Sequence, residues 1–246
     1  MNSAPRLSQH IAPTGALRAV INLGNPVLAQ GTPQEPRGVT VAIAEDLASW
    51  LDVPLELFCV DAARKSYAAM AEQRADVCFL ANEPAREEEI AFTAPYVTIE
   101  GVYVADLDSP FESSHDVDRP DVQIAVRDGS AYDLFLTRSV KAARVVRGDE
   151  AVDVYEQRAL DVCAGVRQPM TEYAVRTARR VLEPPFMQIN QAVGLPRGLP
   201  PEVVAAVADR VEQLKTGGFV TAALADSGVS ATVAPAAPVC PGIVGP

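Results

Sequence analysis

The stretch Asn82–Tyr96, "NEPAREEEIAFTAPY", places a single arginine, Arg86, ahead of three consecutive glutamates and a short apolar and aromatic segment. A guanidinium carries a planar fork of donors that binds a carboxylate through two hydrogen bonds. The alternative is a surface ion pair with Glu89, which lies three residues further on and would be close on one helical turn. The stretch therefore leaves two roles open for Arg86, an anion ligand site or a local ion pair.

On both sides of this stretch, apolar runs alternate with segments of helical periodicity. Upstream, we predict strands at 17–22, 55–60 and 75–81 and helices at 39–51 and 66–73. Downstream, we predict strands at 122–126, 143–147, 160–166 and 186–194, and helices at 131–137, 150–157, 169–178 and 200–218. This alternation is typical of the α/β class, in which helices cover a mainly parallel sheet. Residues 106–122 are polar and indicate a linker, and the Pro-rich tail 234–246 indicates an extended or poorly ordered end.

The composition restricts the function. The 246 residues carry a formal net charge of −11, whereas nucleic-acid binding requires a basic face, so we expect no nucleic-acid partner. No apolar run approaches the roughly 18 residues that cross a bilayer, so we expect no membrane insertion. The first residues, "MNSAPRLSQHIAPTGALRAV", lack the apolar segment of a secretory signal. They predict a cytoplasmic protein, or a periplasmic one if an export signal has been removed.

Four cysteines, Cys59, Cys78, Cys163 and Cys240, form no CxxC pair and no other metal-ligand spacing. The first three lie inside apolar runs, where a free thiol behaves as a small hydrophobe. We therefore expect four free thiols, no metal site and no cofactor.

The segment "REEEIAFTAPY" resembles a hallmark of the type 2 periplasmic binding proteins, the family 3 solute-binding proteins of ABC importers. In that family an Arg stands six residues before a Phe, which is followed by Ser or Thr and by Pro-Tyr. Arg86, Phe92, Thr93 and Pro95-Tyr96 have this spacing. Further similar segments follow in the same order, from "TGALRAVIN" through "RGVTVAIAEDLASWL", "YAAMAEQRADVCFL" and "VRDGSAYD" to "QLKTGGFVTAAL".

The resemblance implies two α/β lobes that are joined by two crossing strands and hold a ligand in the cleft between them. The lobes would comprise residues 1–104 plus 191–246 and residues 105–190. It also implies that Arg86 holds the α-carboxylate of the ligand.

Other polar residues are candidates for the same cleft. Gly129 and Ser130 precede a predicted helix, where free N–H groups receive an anion, although Ser130 could equally be an ordinary N-cap. Asn22 and Asn25 follow the first strand and could bind a polar ligand or simply form a turn.

The sequence departs from the family in the residues that would receive an ammonium group. Val166 stands where an Asp is usual, and it is followed by Arg167 and Gln168. Arg167 would favour a second carboxylate, unless it is a solvated arginine at a strand end. Asn82 and Glu83 replace the usual hydroxyl residues, and Glu83 could itself accept an ammonium.

Two functions remain open. The first is a solute-binding protein that clamps a small carboxylate, either an organic acid or an amino-acid-like ligand, and serves an ABC permease if it is exported. The alternative is a cytoplasmic lyase similar to cyclohexadienyl dehydratase, on the same scaffold. The acids to consider for such catalysis are Glu83, Asp133 and Glu172, and no motif marks any of them as catalytic.

Overall fold

The computed structural model describes residues 4–237, with side chains from residue 7 onward. The strands are β1 Leu17–Asn22, β2 Gln30–Gly31, β3 Pro36–Arg37, β4 Leu55–Val60, β5 Val77–Ala81, β6 Ile90–Asp106, β7 Gln123–Arg127, β8 Arg144–Gly148, β9 Val162–Val166, β10 Arg179–Pro196 and β11 Thr232–Val233. The helices are α1 Ala4–Ile11, α2 Val39–Leu51, α3 Ala63–Ala71, α4 Ala131–Ser139, α5 Ala151–Arg158, α6 Arg167–Arg176, α7 Pro201–Thr216 and α8 Phe219–Asp226. The α/β class predicted from the alternation of elements is confirmed.

One continuous sheet runs through two lobes in the order β4-β1-β5-β10-β6-β9-β7-β8, with β11 beside β6. In the first lobe, β1 pairs in parallel with β4 and β5, and in the second lobe β7 pairs in parallel with β8 and β9. The long strands β6 and β10 are antiparallel to each other and pass from one lobe to the other. They are the two crossing strands of the predicted fold. The exact lobe limits given above stay a prediction.

Each lobe has an aspartate that fixes the start of one strand, β5 in the first lobe and β9 in the second. Asp76 precedes β5, and its carboxylate accepts the backbone N–H of Arg18 at 2.9 Å and two guanidinium bonds from the same residue at 3.0 and 2.6 Å. Asp161 precedes β9 and accepts the backbone N–H of Gln123 at 2.8 Å. Because each aspartate ties its own strand to the first strand of its lobe, both parallel sheets have a fixed register at this end.

Several elements differ from the sequence-based expectation. The polar segment 106–122 is not only a linker, because Phe111 and Val117 are buried in the core. Strand β10 begins at Arg179 rather than at residue 186. The Pro184-Pro185 pair interrupts the strand pattern in the sequence, but the prolines fall at a register shift of the ladder, where no N–H is needed.

The ends of the chain also differ from what the sequence indicated. Helix α1 was not predicted, because so short a segment offers few apolar positions from which to recognise a period. The end of the tail, residues 238–246 with Cys240, lies outside the described residues. Between residues 4 and 237, no helix combines the length and hydropathy required to cross a membrane.

Candidate functional site

A cavity of about 620 Å³ lies between the two lobes. It is bounded by the loops that follow β1, β5, β7 and β9, which are the carboxyl ends of the parallel strands. Ligands in open α/β sheets bind at such ends, because the loops there converge and helix N-termini point inward. The apolar part of the lining includes Leu23, Phe79, Met170 and Ile189.

Arg86 lines this cavity and is almost fully buried, at 3% exposure. It ends a 3₁₀ turn, Pro84–Arg86, that directly follows β5. Its Nη1 donates to the carbonyl of Ala81 at 3.0 Å, and its Nη2 donates to the carbonyl of Gly129 in the second lobe at 3.0 Å. The alternative ion pair with Glu89 is not formed, and the three glutamates that follow Arg86 are exposed.

The guanidinium of Arg86 has no acidic partner within ion-pair distance among residues 4–237, although Glu83 lies near enough to act through its field. Burial lowers the pKa of Arg86 from its ordinary 12.5 to about 10, and the nearby Glu83 opposes this shift. Arg86 therefore remains charged at neutral pH. The lowered pKa shows that burial of this cation is unfavourable and only partly compensated by the field of Glu83.

The N-terminus of α4 lies directly beside Arg86. Ser130 is the N-cap, and its Oγ accepts the N–H of Asp133 at 3.1 Å. Gly129 has φ +67°, a conformation that favours glycine, and this turns its carbonyl to Arg86 and its N–H to Asp133 at 2.9 Å. Ser130, Ala131 and Tyr132 line the cavity, so the positive end of the helix faces it.

The two asparagines after β1 also line the cavity, but their amide oxygens are occupied. Oδ1 of Asn22 accepts the N–H of Gly24 at 3.0 Å, and Oδ1 of Asn25 accepts the N–H of Val27 at 3.3 Å. Both residues form the turn, and their NH₂ groups remain as donors for a ligand.

Four other candidates lie outside the lining. Arg167 binds Glu183 at 2.7 and 2.9 Å and also pairs with Glu100, so its charge is already compensated. The amide of Gln168 donates to the carbonyl of Ser230 at 2.6 Å. Asn82 and Glu83 are likewise absent from the lining. The structure thus brings Arg86, Asn22, Asn25 and Ser130 together with Gly129 beside them, and separates these from the other four.

Several contacts join the lobes across the cleft. Glu83 of the first lobe forms an ion pair with Arg138 of α4. Arg64 of α3 binds Asp149 at 2.7 Å. Together with the bond from Arg86 to Gly129, these contacts describe a closed cleft.

Arg127, at the end of β7, is a cleft residue that the sequence analysis did not select. Its guanidinium donates to the carbonyls of Gly24 at 3.2 Å and Asp61 at 2.6 Å in the first lobe, and it binds Glu150 at 2.7 Å in the second. The backbone of Gly24 approaches so closely that a Cβ there would lie 1.8 Å from the Asp61 oxygen. Burial raises the pKa of Glu150, an effect that the neighbouring Arg127 reduces.

The cavity carries more acidic than basic side chains. Its arginines are Arg86, Arg127 and Arg176, and its acids are Asp61, Asp128, Glu150, Asp153 and Glu172. Of the three acids considered for catalysis, only Glu172 is in the lining. Asp133 binds Arg147 at 2.9 Å outside it. Among residues 4–237, no group of three or more His, Cys, Asp or Glu side chains could hold a metal ion.

Residues 19–220 match the profile of the bacterial extracellular solute-binding proteins, family 3. The chain belongs to this family. No curated protein sequence matches this solute-binding protein.

Solved structures share the fold at low sequence identity. An ancestral amino-acid-binding protein, a precursor of cyclohexadienyl dehydratase, has a TM-score of 0.70 at 20% identity, over 90% of this solute-binding protein and 98% of that chain. A mutant of ArgBP from T. maritima has a TM-score of 0.72 at 17% identity, over 90% and 99% of the two chains. A solute receptor for L-cysteine of Neisseria gonorrhoeae has a TM-score of 0.73 at 19% identity, over 88% and 91%.

Proposed function

We propose that this solute-binding protein clamps a small amino acid or related carboxylate between its lobes, with the carboxylate held between Arg86 and the N-terminus of α4. The observation that carries the proposal is the buried guanidinium of Arg86, which has no acidic partner in the described chain and contacts Gly129 at the start of α4. A cation and a helix N-terminus that face the same space favour an anion there.

The energetics agree with this assignment. An unpaired buried cation is costly, and a ligand carboxylate that pairs with it offsets that cost. Arg86 donates two N–H groups to backbone carbonyls, and these bonds fix the position of the guanidinium. Its remaining N–H donors are available to a ligand. Ser130 and the free NH₂ groups of Asn22 and Asn25 would complete the polar contacts.

The ligand class rests partly on relatives. Structures with the same fold are named as binding amino acids, L-arginine, lysine and L-cysteine among them. The acidic lining residues Asp153 and Glu172 would suit a ligand whose side chain also carries a positive group. Of the two ligand classes considered above, organic acids and amino-acid-like ligands, we therefore favour amino acids.

Membership of a family named for extracellular proteins supports export and delivery of the ligand to an ABC permease. We retain as part of the proposal the lobe limits of 1–104 with 191–246, and 105–190. No observation favours the dehydratase alternative over binding. Glu83 and Asp133 are held by arginines and lie outside the cavity lining, and Glu172, which does line the cavity, forms no side-chain contact with the described residues that would mark it as catalytic.

The test is a thermal-shift screen of the twenty amino acids, succinate, 2-oxoglutarate and phenylpyruvate, followed by calorimetry on the strongest hit. Ligand binding to the folded state alone raises the melting temperature by mass action. Arg86→Ala should abolish the shift, whereas Arg74→Ala, which removes an exposed arginine that pairs with Glu72 and stacks on Phe58, should leave it unchanged. A full shift in Arg86→Ala, or no shift with any compound, would contradict the proposal.

A further inference from the structure

Gln191 is a buried polar residue that the carboxylate site does not use. It lies on the crossing strand β10, is 6% exposed and lines the cavity. Its side chain forms no hydrogen bond with any side chain or backbone group of residues 4–237. The residue as a whole is buried, but its amide nitrogen and oxygen do not belong to the fully enclosed polar atoms that lack a partner. The amide therefore faces the cavity space, where it is available to a ligand.

The neighbouring polar groups of the lining differ from Gln191 in this respect. Asn22 and Asn25 accept backbone N–H groups, Thr40 donates to the carbonyl of Leu28 at 3.2 Å, and Ser130 caps α4. Each of these side chains contributes to the fold of its own loop or helix. The amide of Gln191 has no such structural task.

The position of Gln191 relative to Arg86 is set by the sheet. Gln191 is directly paired with Ala81 in the antiparallel ladder of β10 and β5, and the Ala81 carbonyl accepts Nη1 of Arg86. Residues opposite each other in such a ladder have Cα atoms roughly 5 Å apart. Arg86, Ala81 and Gln191 all line the cavity, so Gln191 and the guanidinium that binds Ala81 are neighbours in its wall.

We propose that Gln191 is a specificity residue that binds the substituent next to the ligand carboxylate, so that the protein selects 2-amino and 2-hydroxy acids over unsubstituted acids. The inference rests on the proposed function, because it requires the carboxylate to be held by Arg86. With the carboxylate there, an α-substituent lies within a few ångströms of it and meets the Gln191 amide, whose oxygen accepts an N–H or O–H donor.

The ligand class follows from the neutrality of the amide. Glu83, the acid that stands beside Arg86 in the sequence, is bound to Arg138 and lies outside the lining. Val166, which stands where an Asp is usual in the resembled family, lines the cavity as an apolar residue. A neutral acceptor gains little extra from a full positive charge, so it distinguishes an amino group from a hydroxyl group only weakly, whereas a carboxylate would favour the ammonium.

The experiment uses three matched probes, L-phenylalanine, L-3-phenyllactate and 3-phenylpropionate, and a second set of L-glutamate, L-2-hydroxyglutarate and glutarate. Calorimetry on the wild type should give the amino and hydroxy acids affinities within about tenfold of each other, and the unsubstituted acid should bind at least about tenfold more weakly. Gln191→Leu should remove the advantage of the substituted acids. Gln191→Glu should raise the amino-to-hydroxy affinity ratio by about tenfold or more, because the acceptor is then charged.

The control is Gln188→Leu, the same change on the same strand at an exposed position, which should leave all affinities unchanged. If Arg86→Ala abolishes binding while Gln191→Leu keeps the wild-type selectivity, the role of Gln191 is refuted and the proposed function stands. If Arg86→Ala binds as well as the wild type, or if the wild type binds none of the six probes and none of the amino acids, the proposed function itself fails and the role of Gln191 fails with it.

Discussion

The ion pair between Glu83 and Arg138 crosses the cleft, so its removal should act on closure rather than on folding. The Glu83 side chain is only 9% exposed in the closed form, while that of Arg138 is 43% exposed and its guanidinium lies 5.1 Å from the centroid of the Phe135 ring. Arg138→Met keeps an apolar side chain over that ring but removes the charge. In the closed form Glu83 would then be a buried carboxylate without its partner, whereas opening of the cleft would return it to water.

The size of the effect lies between two limits. Breaking a fully buried ion pair costs about 3–5 kcal/mol, and breaking a surface pair costs about 0–1 kcal/mol. Because Arg138 is half-exposed and screened by solvent, we expect a penalty of about 2 kcal/mol on closure. Ligand binding requires the closed form, so affinity should fall by roughly 30-fold. The double variant Glu83→Gln/Arg138→Met no longer buries a charge and should recover to within about threefold of the wild type.

Calorimetry with the strongest amino-acid hit measures this affinity, and small-angle scattering without ligand measures the radius of gyration. Arg138→Met should be more extended than the wild type before ligand is added. Arg119→Met, which breaks the exposed pair with Asp116 within the second lobe, is the control and should change neither quantity. An unchanged affinity for Arg138→Met, or a double variant as weak as the single one, would refute a role of the pair in closure.

Other expected outcomes concern stability and thiol chemistry. In urea unfolding, Asp76→Asn should lose about 2 kcal/mol, because the buried carboxylate of Asp76 binds the partly exposed guanidinium of Arg18. Asp161→Asn should lose less than about 1 kcal/mol, because the Asp161 carboxylate accepts a backbone N–H and forms no ion pair with the described residues. Three backbone N–H groups lower the pKa of Asp118 in the folded protein. Its contribution to the free energy of unfolding is therefore fully present above its unfolded pKa and is lost as the pH falls through the folded pKa. The difference in the free energy of unfolding between Asp118→Asn and the wild type should accordingly vanish in acid. Burial raises the pKa of Cys78 and Cys163 to about 12, so neither thiol should react with a disulfide reagent at pH 8 until the protein is unfolded without reductant, and a native disulfide would contradict this.

Periodicity in the sequence was sufficient to predict the strands and helices of the parallel sheets. Strand β1, helix α2 and strand β4 have the predicted limits, because each is a continuous apolar or amphipathic run bounded by turn residues. The pattern failed where tertiary packing overrides local composition. The segment 106–122 looks polar, yet Phe111 and Val117 pack into the core. The crossing strand β10 continues through two prolines because the ladder shifts its register there.

The candidate site likewise contains residues that the local sequence predicts and residues that only the tertiary structure places. Arg86 was found because a local motif carries it, and its approach to Gly129 follows from two loops that each have a recognisable sequence. Gln191 could not be placed in the cavity from the sequence, because its position depends on its pairing with Ala81 across the sheet. A weak signal was nevertheless present, since Gln191 directly precedes the apolar run "AVGL" of a predicted strand, and a polar side chain buried in a sheet requires a partner.

The central claim is that the guanidinium of Arg86 binds the carboxylate of the ligand. A thermodynamic cycle that removes the guanidinium, the carboxylate charge and both together tests this claim most directly. Calorimetry would compare the strongest amino-acid ligand and its primary amide on the wild type and on Arg86→Ala. Both single changes should weaken binding by about 2–5 kcal/mol, and the double change should cost little more than either alone, which gives a coupling energy of similar size. Additive losses, with a coupling energy near zero, would mean that Arg86 only joins the lobes through Gly129 and that the carboxylate is bound elsewhere.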